Sequence, residues 1–249
     1  MIVCKSPEEL QRMRDSCLIV ARVLEEVRRI IAVGVRTREL DLVAEALIRE
    51  AGARPAFKGY NGFPATLCTS INDQIVHGIP GDYRLRAGDI VSVDCGVLCE
   101  GFYGDAAITV AVGEVSEQLR TLLRVTEEAL YHGIEKARVG NHVSDISAAV
   151  QAHVEPFGFS VVREFVGHGI GQQLHEEPQV PNYGPPGHGP RLVEGMVLAI
   201  EPMVNTGSPR HRTLPDGWTA VTIDGGYSAH FEHSVAVTAD GPWILSRKN

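Results

Sequence analysis

The stretch VDCGVLCEGFYGDAA, residues 93–107, decides the fold. It reads as two apolar strands, 89–98 and 102–112, joined by a tight turn near Cys99, Glu100 and Gly101. Folding the chain there sets Asp94 and Asp105 opposite each other, within about one residue of register. Asp94 shares its face with Ser92 and Gly96, and Asp105 with Ala107 and Thr109. Val91, Val93, Val97, Ile108 and Val110 take the other face. Like charges facing across a hairpin weaken it, so two carboxylates over small residues point to a partner that relieves them, a solvated outer face being the alternative.

Outward from the hairpin, the elements alternate in kind. Ser6-Pro7-Glu8-Glu9 predicts a capped helix start, with Leu10, Met13, Cys17, Leu24, Val27 and Ile31 at helical spacing and Gly34 as the stop. A second helix is expected from Thr37 to just before Gly52, then a Gly-, Pro- and aromatic-rich loop over 53–65 and short strands near 66–70 and 74–77. Beyond the hairpin, Ser116 and Ser144 are the expected caps of two more helices, the second running to about Pro156. Strands follow near 160–166, 196–204, 219–223 and 228–238, with a Gly/Pro loop over 181–191 read as a solvent loop, a flap being the alternative. No low-complexity linker divides the chain. Two helices and strands, then two helices and strands, predict one α+β domain over residues 1–249, built of two similar halves.

Two further carboxylates sit where strands read as buried. Glu201 ends the apolar run GMVLAI, and Glu232 lies on a strand whose other face carries Phe231, Val235 and Val237. Neither the hairpin nor these two strands contains Lys or Arg. A buried carboxylate without a partner is costly, so a cation that is not a side chain becomes the simplest partner. Glycines at 167, 169 and 171 exclude a helix around His168 and expose it with His175. His77 similarly ends a strand before Gly78 and Pro80. His132, His142, His153, His188 and His211 read as structural or solvated. Four carboxylates and a neutral imidazole balance two divalent cations in charge. Oxygen-rich ligation with one nitrogen suits Mn, Fe(II), Co or Zn.

Composition sets bounds. The 249 residues are 44% hydrophobic with net charge −8, so no global basic surface suggests a nucleic-acid or membrane partner. No apolar run approaches a membrane span and no signal peptide is evident. Five cysteines without a CxxC pair fit a reducing cytoplasm.

The stretches SINDQIVHGIP, VSVDCGVLCEGFYGDAA, GHGIGQQLHEEPQVP, AIEPMV and DGWTAVTIDGGYSAHFEHSVAVT together resemble the type I methionine aminopeptidases, from Ser6 to about Leu245. The resemblance implies the pita-bread fold, two pseudo-symmetric halves around a central antiparallel sheet. It implies removal of the initiator methionine when the second residue is small, by a water or hydroxide between two divalent metals. By the same resemblance Asp94 chelates one metal, Asp105 and Glu232 bridge, and His168 and Glu201 complete the other. Glu201 would carry the proton from water to leaving amine, His175 would steady the oxyanion, and His77 would contact the scissile amide. Tyr60, Phe63, Cys68 and Trp218 would line the methionine pocket, with Phe57 at its edge, where plain core packing is the alternative. Leu174 stands where some relatives carry phenylalanine, which would widen or soften that pocket. Asn72 and Ser228 match the position of a monovalent cation in such enzymes. A monomer is expected. The short N-terminal segment carries no zinc-finger-like or basic extension, so any ribosome contact would use the catalytic surface itself.

Three rivals remain on residues alone. Proline-specific aminopeptidases and dipeptidases share the five ligands, but they lack the HEEP and DGWTA context. They also usually carry an additional N-terminal domain, for which 249 residues are expected to leave no room. Pita-bread binding proteins have usually lost ligands, whereas all five positions are filled here. A metal-dependent phosphatase or nuclease would be expected to place Lys or Arg within these motifs.

Overall fold

Ser6 opens the first helix in the computed structural model, which describes residues 2–248. Its hydroxyl accepts the Glu9 N–H while the Glu9 carboxylate accepts the Ser6 N–H at 2.8 Å, the reciprocal cap expected. That helix, α1 (Pro7–Ile30), stops short of Gly34. It is followed by α2 (Thr37–Glu50), α3 (Glu117–Ile134) and α4 (Val143–Val154). Ser116 caps α3 as expected, but Ser144 does not cap α4. His142 is the cap position, its N–H held by Asp145 at 2.7 Å, and the Ser144 hydroxyl instead accepts the His188 N–H. The Asp145 carboxylate three residues on takes the His142 N–H, the helix starts at Val143, and Ser144 falls inside its first turn, where its hydroxyl serves the loop instead.

The strands are β1 (Arg54–Pro55), β2 (Leu67–Ile71), β3 (Gln74–Val76), β4 (Ile90–Cys99), β5 (Phe102–Ala111), β6 (Ser160–Val161), β7 (Gly167–Gly169) and β8 (Glu176–Val180). They continue with β9 (Val197–Ile200), β10 (Met203–Asn205), β11 (His211–Thr213), β12 (Ala220–Thr222), β13 (Ser228–His230), β14 (Glu232–Thr238) and β15 (Gly241–Ile244). Three expected strands are shorter or broken. Only Ser160 and Val161 pair in the 160–166 stretch. Pro202, which has no N–H to give a ladder, splits 196–204 into β9 and β10. Phe231 splits 228–238, because its N–H turns toward Pro202 O and the chain leaves one sheet for another.

All pairings are antiparallel. The main sheet runs β1-β4-β5-β14-β9-β7-β8, with β2 also on β4 and β15 on β14. Two three-stranded sheets, β13-β10-β6 and β11-β12-β3, complete the structure. On one face of the main sheet, Val91, Val93, Cys95, Val97 and Ala106 bury against α1 and α2 through Val20, Val23, Leu24, Val27, Leu40 and Ile48. The second half repeats this, with α3 residues Leu130 and Ile134 against Leu198, Ile200, Val235 and Val237. Contact is close at Gly104, where an added Cβ would lie 2.7 Å from the Cys17 backbone nitrogen on α1. Both helix pairs therefore cover one face, and the other is left for the site. The 181–191 loop is fastened to α4 by Gly184 N–H to Gln151 and Gly187 N–H to Asp145, and none of its residues lines the site cavity. It is not wholly in solvent: Asn182 is buried and its amide donates to Glu201 O at 3.0 Å.

Candidate metal centre and substrate cavity

The hairpin turn holds only Glu100 and Gly101 between paired Cys99 and Phe102, both in the left-handed region (φ 48 and 83) as a two-residue hairpin turn requires. This sets Asp94 opposite Ala107 and Asp105 opposite Gly96. The two aspartates are thus diagonal neighbours on one face, two residues apart in register rather than the one expected. Diagonal placement eases the like-charge repulsion that direct opposition would impose.

The register then builds the site from two parallel rows. In one row, Cys68 faces Asp94, Asp94 faces Ala107, and Ala107 faces Glu232. In the next, Gly96 faces Asp105, while Ala199 lies between Ser234 and His168. Asp105 and Ser234 close that second row, because Asp105 N–H donates to Ser234 Oγ at 3.2 Å and the hydroxyl donates to Asp105 O at 2.8 Å. Small residues separate the functional ones in both rows. Glu201 follows the last residue of β9 and comes to the same face. Ligand atoms of Asp105, His168 and Glu232 all lie within 4.8 Å of one another, and all three residues are buried.

The donor set fits divalent cations on its own geometry. Asp94 Oδ1, Asp105 Oδ1 and Glu232 Oε1 are buried and have no hydrogen-bond partner among the described residues. His168 uses Nδ1 on Gly169 O at 2.9 Å, which leaves Nε2 with a free lone pair toward the carboxylates. Burial pushes Asp94 up to about 7 and Glu201 up to about 8. Asp105 and Glu232 are held well above the usual carboxylate range by burial and then by their acidic neighbours. Burial also lowers His168 and His77 to about 4, and lowers His175, so these imidazoles are neutral at pH 7. Asn72 and Ser228 meet as expected, with Ser228 N–H on Asn72 O at 2.8 Å. The Asn72 amide is already engaged by Asp89 and Ile90, whereas Ser228 Oγ is buried without a partner.

A cavity of about 240 Å³ opens over the rows. Asp94, Asp105, His168, Glu201 and Glu232 line it together with His77, His175, Tyr60, Phe63, Cys68, Trp218 and Phe57. Sequence had singled out every one of these. A larger groove of about 630 Å³ borders His168 and His175, but none of the four row and strand-end carboxylates lines it; Lys5, buried against Glu176, does. The apolar wall is built by local devices. Asp41 Oδ1 accepts the Thr66 and Leu67 N–H groups at 2.9 and 2.8 Å, which fixes the loop between Phe63 and Cys68. Asp216 accepts the Trp218 and Thr219 N–H groups at 2.9 Å, an Asx turn that sets the indole edge-on to Phe63 with centroids 5.2 Å apart. Phe57 stands over Gly96, where a Cβ would come within 2.5 Å of its ring, so it both packs and lines the cavity. Tyr60 Oη lies 2.9 Å from His175 Nδ1. His77 holds φ 61, a strained conformation for a residue that is not glycine, beside Gly78, whose Cβ would meet Thr69 O at 2.2 Å.

Sequence reasoning passed over His230. It is buried, its Nε2 has no hydrogen-bond partner among the described residues, and that atom lies 3.6 Å from Glu201 Oε2. Its place two residues before Glu232 was the available signal. Asn61 and Leu174 also line the cavity, and the latter is 2% exposed.

Residues 11–239 match metallopeptidase family M24. The chain is 54% identical over 247 residues to methionine aminopeptidase 1 of Bacillus subtilis, which covers 99% of this chain and 100% of that relative. The crystal structure of a methionine aminopeptidase from Thermotoga maritima superposes with a TM-score of 0.98 at 44% identity, covering 100% of both chains. A prolidase from Pyrococcus furiosus shares the architecture at a TM-score of 0.79 and 25% identity, over 99% of this chain and 66% of the prolidase.

Proposed function

The chain belongs to metallopeptidase family M24 and to its methionine aminopeptidases, metal-dependent hydrolases that remove an N-terminal methionine, and we propose how its two register rows do this. Its pita-bread fold is shared with the prolidases. The observation that carries the proposal is the set of buried, unpartnered carboxylate oxygens facing the free Nε2 of His168.

Asp94, Asp105, His168, Glu201 and Glu232 would hold two divalent cations, with Co, Mn, Fe(II) and Zn as candidates. When bound, the ions supply a water of lowered pKa and polarise the scissile carbonyl. Glu201, which lines the cavity beside His168 at the end of β9, takes a proton from the attacking water and returns it to the leaving amine. Neutral His175, steadied by Tyr60, donates to the carbonyl oxygen as charge develops there. Neutral His77 contacts the scissile amide. The methionine side chain enters among Tyr60, Phe63, Cys68, Trp218 and Phe57, with Leu174 as its floor. The second residue of the substrate is small. A monovalent cation between Asn72 and Ser228 would take Ser228 Oγ and backbone oxygen, since the Asn72 amide is already used. We further assign residues 1–249 to one catalytic domain that works as a cytoplasmic monomer and meets nascent chains through its own surface. No helix among the described residues is long and apolar enough to cross a membrane.

The test is hydrolysis by metal-free protein before and after adding Mn, Co, Fe(II) or Zn, on Met-Ala-Ser, Met-Leu-Ser, Leu-Ala-Ser and Ala-Pro-Ala. Metal-dependent release of methionine from Met-Ala-Ser alone is the expected result. Cleavage of Ala-Pro-Ala instead would move the chain to the proline-specific branch, and metal binding without any cleavage would make it a binding protein.

A further inference from the structure

His230 stands against the carboxylate cluster with no task in that scheme. It ends β13, faces Met203 across the ladder and is 1% exposed. Its backbone is clamped from the hairpin side. The Thr109 hydroxyl donates to His230 O at 2.7 Å and lies 2.9 Å from the His230 nitrogen, whose N–H it accepts. The Ser92 hydroxyl in turn sits 2.8 Å from Thr109 Oγ1. Ser92 and Thr109 occupy the same face of the hairpin as Asp94 and Asp105, one step further along. The hairpin that carries the aspartates thus also fixes where this imidazole is held.

The side chain meets Glu201. His230 Nε2 lies 3.6 Å from Glu201 Oε2, and His168 Nε2 lies 3.5 Å from Glu201 Oε1. Two imidazoles therefore span one carboxylate, one to each oxygen. They are not equivalent. His168 spends its Nδ1 on Gly169 O, so its Nε2 is the lone-pair side that suits a cation. His230 Nε2 is a buried polar atom with nothing to bond to, and the acceptor in front of it is Glu201 Oε2. Buried polar atoms in native proteins are rarely left unpaired. A movement of about 0.7 Å would bring the pair to ordinary hydrogen-bond length.

We propose that His230 is a positioning residue for Glu201: its Nε2–H holds Oε2, which leaves Oε1 for the cation beside His168. This rests on the assignment of Glu201 as ligand and proton carrier. With Oε2 tied, the carboxylate plane cannot swing and chelate through both oxygens. The group that moves the proton then stays in one orientation through the reaction. A misplacement of about 1 Å in such a group costs roughly 100-fold in rate.

The test separates reach from polarity. His230→Gln puts an amide N–H at nearly the same distance, His230→Asn carries the same donor too short to arrive, and His230→Leu fills the space without one. Leu and Asn should each lower kcat on Met-Ala-Ser by roughly 10-fold or more, with KM within about twofold, and Gln should restore most of it. Mn(II) affinity, titrated by electron paramagnetic resonance on metal-free protein, should change little in all three. The visible absorption of the Co(II)-loaded protein should shift in Leu and Asn and return in Gln, because the Glu201 binding mode changes. Wild-type kcat in the Leu or Asn variant overturns the proposal. So does a tenfold or greater loss of Mn(II) affinity, which would make His230 a ligand, and so does failure of Gln to restore turnover. If Leu does not fold, the Asn and Gln pair decides alone. Normal turnover by Glu201→Gln would instead sink the premise, a different outcome from any of these.

Discussion

Replacing Asp105 by Asn should stabilise the metal-free protein at pH 8 and abolish its metal binding. Asp105 is 4% exposed, its Oδ1 has no partner, and burial, Asp94 and Glu201 all push its pKa up. Asp94 is raised from 3.8 to about 7 and Glu201 from 4.5 to about 8, both chiefly by burial. Between those ordinary and raised values the folded, metal-free protein binds more protons than the unfolded chain. The slope of unfolding free energy with pH is then negative. The stabilising contribution is complete below pH 3.8 and is lost as pH rises through about 7 and 8. At ~1.4 kcal/mol per pH unit, the cluster loses on the order of a few kcal/mol. At about 2–4 °C per kcal/mol for a chain of this size, the metal-free Tm should fall on the order of 10 °C from pH 5 to pH 8. The variant removes one of the repelling charges, so its decline should be shallower and its Tm at pH 8 several degrees higher. Saturating Mn(II) reverses the order. Wild type gains ~2.7 kcal/mol at an ion concentration 100 times Kd, and the variant gains little. Calorimetry in chelator and in Mn(II) at both pH values checks this. A metal-free wild-type Tm that is flat or rises with pH, or a variant that melts below wild type at pH 8, would refute the reasoning.

Glu201→Gln should keep the fold and part of the metal but lower kcat by roughly 10²–10⁴-fold; near-normal steady-state turnover would remove Glu201 from proton transfer. Leu174→Phe adds bulk to a cavity wall shared with Phe63 and Trp218, and should raise the ratio of kcat/KM for Met-Ala-Ser over Leu-Ala-Ser by roughly 10-fold. An unchanged ratio would place Leu174 outside selectivity. Gly104→Ala drives a methyl to 2.7 Å from the Cys17 nitrogen. It should cost ~1–3 kcal/mol by overpacking, read as a Tm lower by several degrees, and an unaltered Tm would mean that α1 can slide off the hairpin freely.

The outer face of the sheet was legible because it obeys period two against period 3.6. Val91, Val93 and Val97 alternate with polar or small residues, and Leu10, Met13 and Cys17 recur at helical spacing. The cap at Ser6 was legible for the same local reason. Asp94, Asp105, Glu201 and Glu232 were legible as chemistry, because buried carboxylates in apolar strands without Lys or Arg need a cation that no side chain there supplies. What stayed hidden depended on geometry between segments. The one-residue error in register came from leaving the turn open, although Glu100-Gly101 taken as a two-residue turn fixes Asp94 opposite Ala107. His142 displaced Ser144 as the cap because Asp145 accepts the His142 N–H and the helix starts one residue before Ser144. The break at Phe231 was invisible to periodicity, and with it went the place of His230.

The two faces also divide the energetics. The helix-covered face buries valines, leucines and isoleucines from both halves and supplies stability. The open face gathers four carboxylates with no Lys or Arg among the cavity-lining residues, an arrangement that opposes folding at neutral pH unless cations enter. Their spacing is set by strand pairing, since each row steps across neighbouring strands through Ala107 or Ala199. Any substitution that slips the β4–β5 register by one residue would send Asp94 or Asp105 to the helix face. A buried carboxylate among Val20, Leu24 and Val27 would be intolerable there. The hydrophobic face therefore enforces the register that the metal face requires, and the site is held to its geometry by residues that never touch it.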